Sequence, residues 1–271
     1  MKENLTLLAT LQQQMGNHDL WPLLTNDMLQ ESGLPGPRAN LELAGSFAGL
    51  YAKPEVTETA WELICAWAQI SESEAAAGDP QEFLAFCAVW ACGAHYAYGD
   101  AGRQSQAEGF LRAAMNDARW RQREAAAMGL QSLGEYDFAL LQQLLDGWRE
   151  GATLLEQRAF MAALAHPPLL KAESHVLYCL EMADGIMEGI RSDTISSSDP
   201  EHFRVLSKGL EYSLSVFAAR LPEPGFALLR KYAESRDARL SKIVKSNLGK
   251  TRLTKKYPAQ VAELLQVLTT G

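Results

Sequence analysis

The chain has 271 residues, 47% of them hydrophobic, and a formal net charge of −8. That much apolar material is enough for a continuous core, while the acidic balance argues against general nucleic-acid binding, because neutralising phosphates takes Lys and Arg. Leu and Ala together number 79 against 14 for Val and Ile, which favours helices and leaves little from which to build a buried sheet.

The opening MKENLTLLATLQQQ is a short apolar run broken by Gln, not the pattern of a signal peptide. Nowhere do roughly 18 apolar residues run together, so a cytoplasmic protein without a membrane partner is expected. Leu34-Pro35-Gly36-Pro37 predicts a turn between two early helices. Around it, from Ser32 to Glu42, two prolines stiffen the chain while Gly33 and Gly36 permit positive φ. Arg38, Asn40 and Glu42 are therefore expected in fixed positions near a helix start, as a recognition loop or as a corner between helices.

Ser71 to Gly78 predicts a solvated, mobile loop. Its Glu72 and Glu74, with Asp79 beyond, are too loosely placed for the paired carboxylates of glycoside chemistry. Asp79-Pro80-Gln81-Glu82 predicts a helix start, with Asp at the N-cap and Pro at the first helical position. The helix that follows carries Phe83, Phe86 and Trp90 and closes at His95-Tyr96-Ala97-Tyr98-Gly99-Asp100. There His95 is placed to favour the helix dipole and Gly99 to stop the helix. No motif sets a nucleophile beside this His and Asp.

Internal similarity organises the rest. Leu206-Ser207-Lys208 and Leu240-Ser241-Lys242 stand 34 residues apart, and Leu210 with Val244 and Leu214 with Leu248 keep the offset. Arg123-Glu124-Ala125-Ala126-Ala127 recurs loosely as Arg158-Ala159-Phe160-Met161-Ala162, 35 residues on. The polar stretch Asp193 to Ser198 reads as an insertion, after which Asp199-Pro200-Glu201 opens another helix. A period of this size, with two helices per unit, is that of a solenoid.

Between Arg230 and Lys256 ten basic residues stand against two acids, so this segment carries +8 and the remainder −16. Lys242, Lys245 and Lys250 are expected close to one helical face, followed by Arg252, Lys255 and Lys256. The stretch is either a solvated outer face or a docking surface for an acidic protein or a phosphate-bearing partner. Cys65, Cys87, Cys92 and Cys179 each lie in an apolar helical stretch, without a CxxC pair or a nearby His cluster. Reduced core thiols and no metal site are expected. With no P-loop, GxGxxG or HExxH motif, no cofactor is expected either.

The run Asp117-Ala118-Arg119-Trp120-Arg121-Gln122-Arg123-Glu124-Ala125-Ala126 resembles the start of the second helix of a HEAT repeat, and Asp237-Ala238-Arg239 with Lys242 and Val244 looks like a second copy. The resemblance covers Asp117 to Gly271; residues 1–100 match by helical pattern only. It implies an all-α fold, a right-handed α-solenoid of HEAT-like hairpins forming one domain over residues 1–271, with a divergent part over 1–100 and repeats over 101–271. Trp120, Arg121 and Arg123, with Arg119 and Arg158, also resemble a stretch of the bacterial HEAT-like DNA alkylation-repair glycosylases. In that family a basic concave face cradles duplex DNA, and Trp120 and Arg123 are the positions that match. The other reading of these residues is an Asp–Arg ladder between repeats, with Trp120 packing at a hairpin. The function expected is a non-enzymatic scaffold that binds another protein, as a monomer or weak dimer; a nucleic-acid-binding or repair module is the alternative.

Overall fold

The excess of Leu and Ala over β-branched residues gives what propensity predicts: every regular element among the described residues is a helix. The computed structural model describes residues 10–192 and 199–270, and the chain divides into two compact units, Met1–Leu141 and Gln142–Gly271. No described helix is long and apolar enough to cross a membrane.

The first unit holds α1 (10–15), α2 (Trp21–Gln30), α3 (Leu41–Gly49), α4 (Glu58–Ala68), α5 (Glu82–His95), α6 (Ala101–Met115) and α7 (Trp120–Tyr136). Asn40, Thr57 and Asp100 start α3, α4 and α6 by accepting hydrogen bonds from helical amides. Helix α5 is apolar on every face, and all its residues except Trp90 are buried. It is the axis of the unit: α3, α5 and α7 pack on one another in order, α4 packs on α5, and α6 packs on both α5 and α7. The closest approach is at Gly93 and Gly129, where a Cβ on Gly93 would lie 2.4 Å from the Gly129 Cα.

Three expectations for this unit are corrected. Asp79 accepts from the Gln81 amide, but Pro80 and Gln81 form a tight turn with three-residue hydrogen bonds, and α5 begins only at Glu82. Gly99 is extended, at φ −73° and ψ 149°, because a 3-10 turn over Tyr96–Tyr98 has already ended the helix. The loop Ser71 to Gly78 is solvated as expected, with six of its eight residues exposed, but it is also tied to the unit, since Arg119 donates to the carbonyls of Ile70 and Ala75 and Ala75 is fully buried.

In the second unit, α8 (Phe138–Arg149) contains the point of division and is followed by α9 (Leu154–Leu164), α10 (Glu173–Arg191), α11 (Pro200–Arg220), α12 (Pro222–Ala233), α13 (Ala238–Leu248), α14 (Thr251–Thr254) and α15 (Pro258–Thr270). A capping box of Thr153 and Glu156 starts α9, and Asp199 with Pro200 starts α11 as its sequence predicts. The stretch Asp193 to Ser198 lies outside the described residues. Here α11 is the axis: α9, α11 and α13 pack in order, and α10 and α12 pack on α11 and on each other.

The offset of 34 residues has a structural counterpart. Leu206, Leu210 and Leu214 on α11 and Leu240, Val244 and Leu248 on α13 are all buried. Ser213 and Asn247 keep the same offset, and both tie their helix to the preceding one. Ser213 Oγ donates to the Met161 carbonyl on α9 at 3.2 Å, and Asn247 Nδ2 donates to the Leu210 carbonyl on α11 at 2.8 Å. One expectation changes: α13 ends at Leu248, so Lys250, the N-cap residue of α14, does not share a helical face with Lys242 and Lys245.

Candidate binding pocket at the start of α7

The turn into α7 is built by two arginines, Arg119 and Arg123. Asp117 accepts the Arg119 backbone amide at 2.7 Å, its Nε at 3.0 Å and its Nη2 at 2.6 Å. This pairing raises the Arg119 pKa despite burial, and the guanidinium also holds the Ile70 and Ala75 carbonyls. Arg123 donates to the carbonyls of Asp117 and Ala118, closing the same turn. Asp237 and Arg239 repeat the clamp ahead of α13, at 2.8, 3.1 and 2.6 Å for the equivalent bonds. There Arg239 holds the Asp237 carboxyl below its usual range.

Arg121 points the other way, into the unit. Its Nη1 lies 3.1 Å from Glu82 Oε2, its Nη2 donates to the Gly36 carbonyl at 3.1 Å, and its guanidinium sits 4.6 Å over the Trp120 ring. Glu82 is fully buried and also accepts the Gly78 amide at 2.7 Å. A buried charge pair of this kind is costly to break, because either group left alone would be an uncompensated buried charge. Arg121 thus couples α7, α5 and the 32–42 loop.

That loop is held from within as well. Ser32 Oγ donates to the Leu29 carbonyl and accepts the Leu34 amide, and Asn40 Nδ2 donates to the Glu31 carbonyl. Gly33 takes φ 73°, and a Cβ on Gly36 would lie 2.5 Å from the Gly33 carbonyl oxygen. The Leu34–Pro35 peptide is cis. Of the three loop residues singled out, Asn40 is the N-cap of α3, Glu42 sits exposed in its first turn, and Arg38 is exposed.

These elements enclose a pocket of about 320 Å³. Pro37, Arg38, Ala39 and Leu41 form one wall; Phe86 with Trp120, Arg121, Glu124 and Met128 form the other. Trp120 and Leu41 are 51% and 50% exposed, so two large apolar side chains of one pocket are open to solvent together. Arg38 has no ion pair among the described residues and stands at the rim. The structure therefore joins two candidates that are 80 residues apart in sequence, the Pro/Gly loop and the Trp120 cluster.

Arg158 belongs to the second unit, on α9, half-buried beside Gly209. Among the C-terminal cations, Lys242 lies 3.9 Å from Glu211, and Arg252 lies 4.4 Å over the Tyr212 ring. Lys245, Lys255 and Lys256 are exposed and Lys250 is partly so.

Burial pushes the Cys65 thiol up to about 11 and Cys179 up to about 12, and holds Cys87 and Cys92 well above the usual range. These thiols are protonated at neutral pH and poor nucleophiles. No group of three or more His, Cys, Asp or Glu among the described residues is placed to hold a metal ion.

Glu82 as the partner of Arg121 was the residue the sequence hid. Its position three residues after Asp79 reads as a helix-start carboxylate, and the only sign of burial is the apolar run that follows. Comparison of the chain with protein-family models, with curated proteins and with solved structures finds no match.

Proposed function

We propose that this chain is a non-enzymatic scaffold of HEAT-like hairpins, coiled as a right-handed α-solenoid, that binds another protein through the pocket at the start of α7. The solenoid reading draws support from the packing of every second helix in order within each unit, α3–α5–α7 and α9–α11–α13. The observation that carries the binding reading is the pocket mouth. Half-exposed Trp120 and Leu41 frame an apolar cavity, beside a loop fixed by its own hydrogen bonds and by Arg121. A rigid aromatic anchor beside a preformed cavity is where binding energy concentrates in protein interfaces.

Less supports the nucleic-acid alternative. Arg119 and Arg121 are buried and bonded within the unit, and Arg123 closes a turn, so few of its arginines remain for phosphates. The test is selection of displayed peptides on the full chain, followed by affinity measurement against Trp120→Ala and Leu41→Ser. Selected peptides should share an apolar anchor residue and lose about 2 kcal/mol of binding with Trp120→Ala. A 20-mer-scale duplex should not bind at roughly 0.15 M salt. Peptide binding indifferent to both substitutions, or duplex binding that needs Trp120, would refute the reading.

A further inference from the structure

A second pocket, also about 320 Å³, lies in the other unit between α11 and α13. Its walls come from the two helices related by the 34-residue offset, so Lys208 and Lys242 occupy equivalent positions. Both approach one carboxylate. Lys208 Nζ is 2.8 Å from Glu211 Oε2, and Lys242 Nζ is 3.9 Å from Glu211 Oε1. The Glu211 side chain is 9% exposed, whereas the lysine side chains are 61% and 72% exposed. Two outward ammonium groups thus share one recessed negative charge, and Glu211 Oε1 has no hydrogen bond among the described residues. Phe203 and the exposed Ala238 give the pocket its accessible apolar surface, while Ile243 is fully buried. The other two cations of the lining are already paired, Arg204 with Glu201 and Arg239 with Asp237.

We propose that this groove binds an acidic peptide segment of a partner protein, with one apolar side chain over Phe203 and Ala238 and flanking carboxylates on Lys208 and Lys242. The charge is complementary at the rim and the lining rewards burial of a hydrocarbon side chain. A nucleic acid fits less well. A sugar–phosphate chain has no apolar side chain to bury in the pocket. The proposal rests on the scaffold reading in taking a protein as the partner, but on other residues than the Trp120 pocket.

The probe is a fluorescein-labelled peptide with a central Leu flanked by Asp and Glu, titrated against the full chain by fluorescence anisotropy. Lys208→Gln with Lys242→Gln should weaken binding about tenfold, and so should replacing the central Leu by Ser. Raising salt from about 0.05 to about 0.5 M should weaken it further. Far-ultraviolet circular dichroism checks the fold. If the double variant misfolds, Lys242→Gln alone, which leaves the Lys208–Glu211 pair intact, should still weaken binding about threefold. Trp120→Ala should bind this peptide as the unaltered chain does. Binding untouched by the lysine substitutions, or lost with Trp120→Ala instead, overturns the groove. A duplex oligonucleotide that binds through the same lysines and displaces the peptide overturns it as well. Peptides that depend on Trp120 would keep the scaffold reading standing even if the groove failed.

Discussion

His95 shows how burial overrides a rule that holds at the surface. A charged histidine at a helix C-terminus is stabilising when exposed, and its position at the end of α5 predicts that role. In the structure it is 1% exposed, its Nδ1 is 3.0 Å from the Tyr51 carbonyl, and its Nε2 faces Arg103 Nη1 at 3.5 Å. A proton on Nδ1 satisfies the carbonyl, and the neutral Nε2 then accepts from Arg103. Burial lowers the pKa, and Arg103 lowers it further. The Tyr51 and Lys53 carbonyls and Asp100 pull the other way. The unfolded chain takes up a proton near the ordinary value of about 6.5, while the folded chain resists doing so. Stability from this site is therefore unaffected above that value and falls as pH drops below it, down to the lowered folded value. Melting temperatures at about pH 7.5 and pH 5.5 should fall more steeply for the unaltered chain than for His95→Gln. Equal slopes would mean that His95 titrates as it would in water.

Among the helices, the pairing of α5 and α7 depends on the absence of side chains where they cross. A Cβ on Gly93 meets backbone atoms of Gly129 at 2.4 to 2.6 Å, and neither backbone yields without moving a helix. Gly93→Ala should therefore destabilise the protein by about 1–3 kcal/mol, the cost typical of overpacking. Gly109 supplies the contrast. It lies exposed on α6, and a methyl group there would meet nothing within 4 Å, so Gly109→Ala should stabilise by about 0.5–1 kcal/mol through helix propensity alone. Denaturant melts of both variants decide the matter, and equal effects of one sign would defeat the packing account. Both glycines lie in helical stretches, and the sequence alone does not tell them apart. Helix existence was legible because it follows from local composition and caps: Asp199-Pro200 starts α11 where expected. The α11–α13 offset was legible because repeated packing demands repeated residues. Where α5 begins was not, since Arg121 engages Glu82 from 39 residues further along the chain.

Charge belongs to the whole molecule, and its location was readable while its pairing was not. The +8 of the segment Arg230 to Lys256 is plain in the sequence. The partners that answer it are distant: Glu263 lies 2.6 Å from Arg230, and Asp184 lies 2.6 Å from Lys231 across 47 residues of sequence. The candidate pocket followed the same rule. Trp120 and Arg38 drew notice singly, but only the fold brings them to one cavity, through a hydrogen bond from Arg121 to Gly36. Once those pairs are formed, Lys245, Lys250 and Lys255 remain without ion pairs among the described residues. None of the three lines the α11–α13 groove. They should act on an acidic peptide by field rather than by contact, and a field works chiefly on the rate of encounter. Replacing all three by Glu should shift the melting temperature by no more than about 2 °C, because exposed substitutions away from special features cost little. At about 0.05 M salt the association rate constant for the acidic peptide should fall several-fold. At about 0.5 M, where the screening length shrinks to a few ångströms, the variant and the unaltered chain should converge. The dissociation rate should not change at either salt, since the groove contacts are intact. Stopped-flow anisotropy measures both rates, and an unchanged association rate at low salt would make these lysines a solvated face with no part in binding.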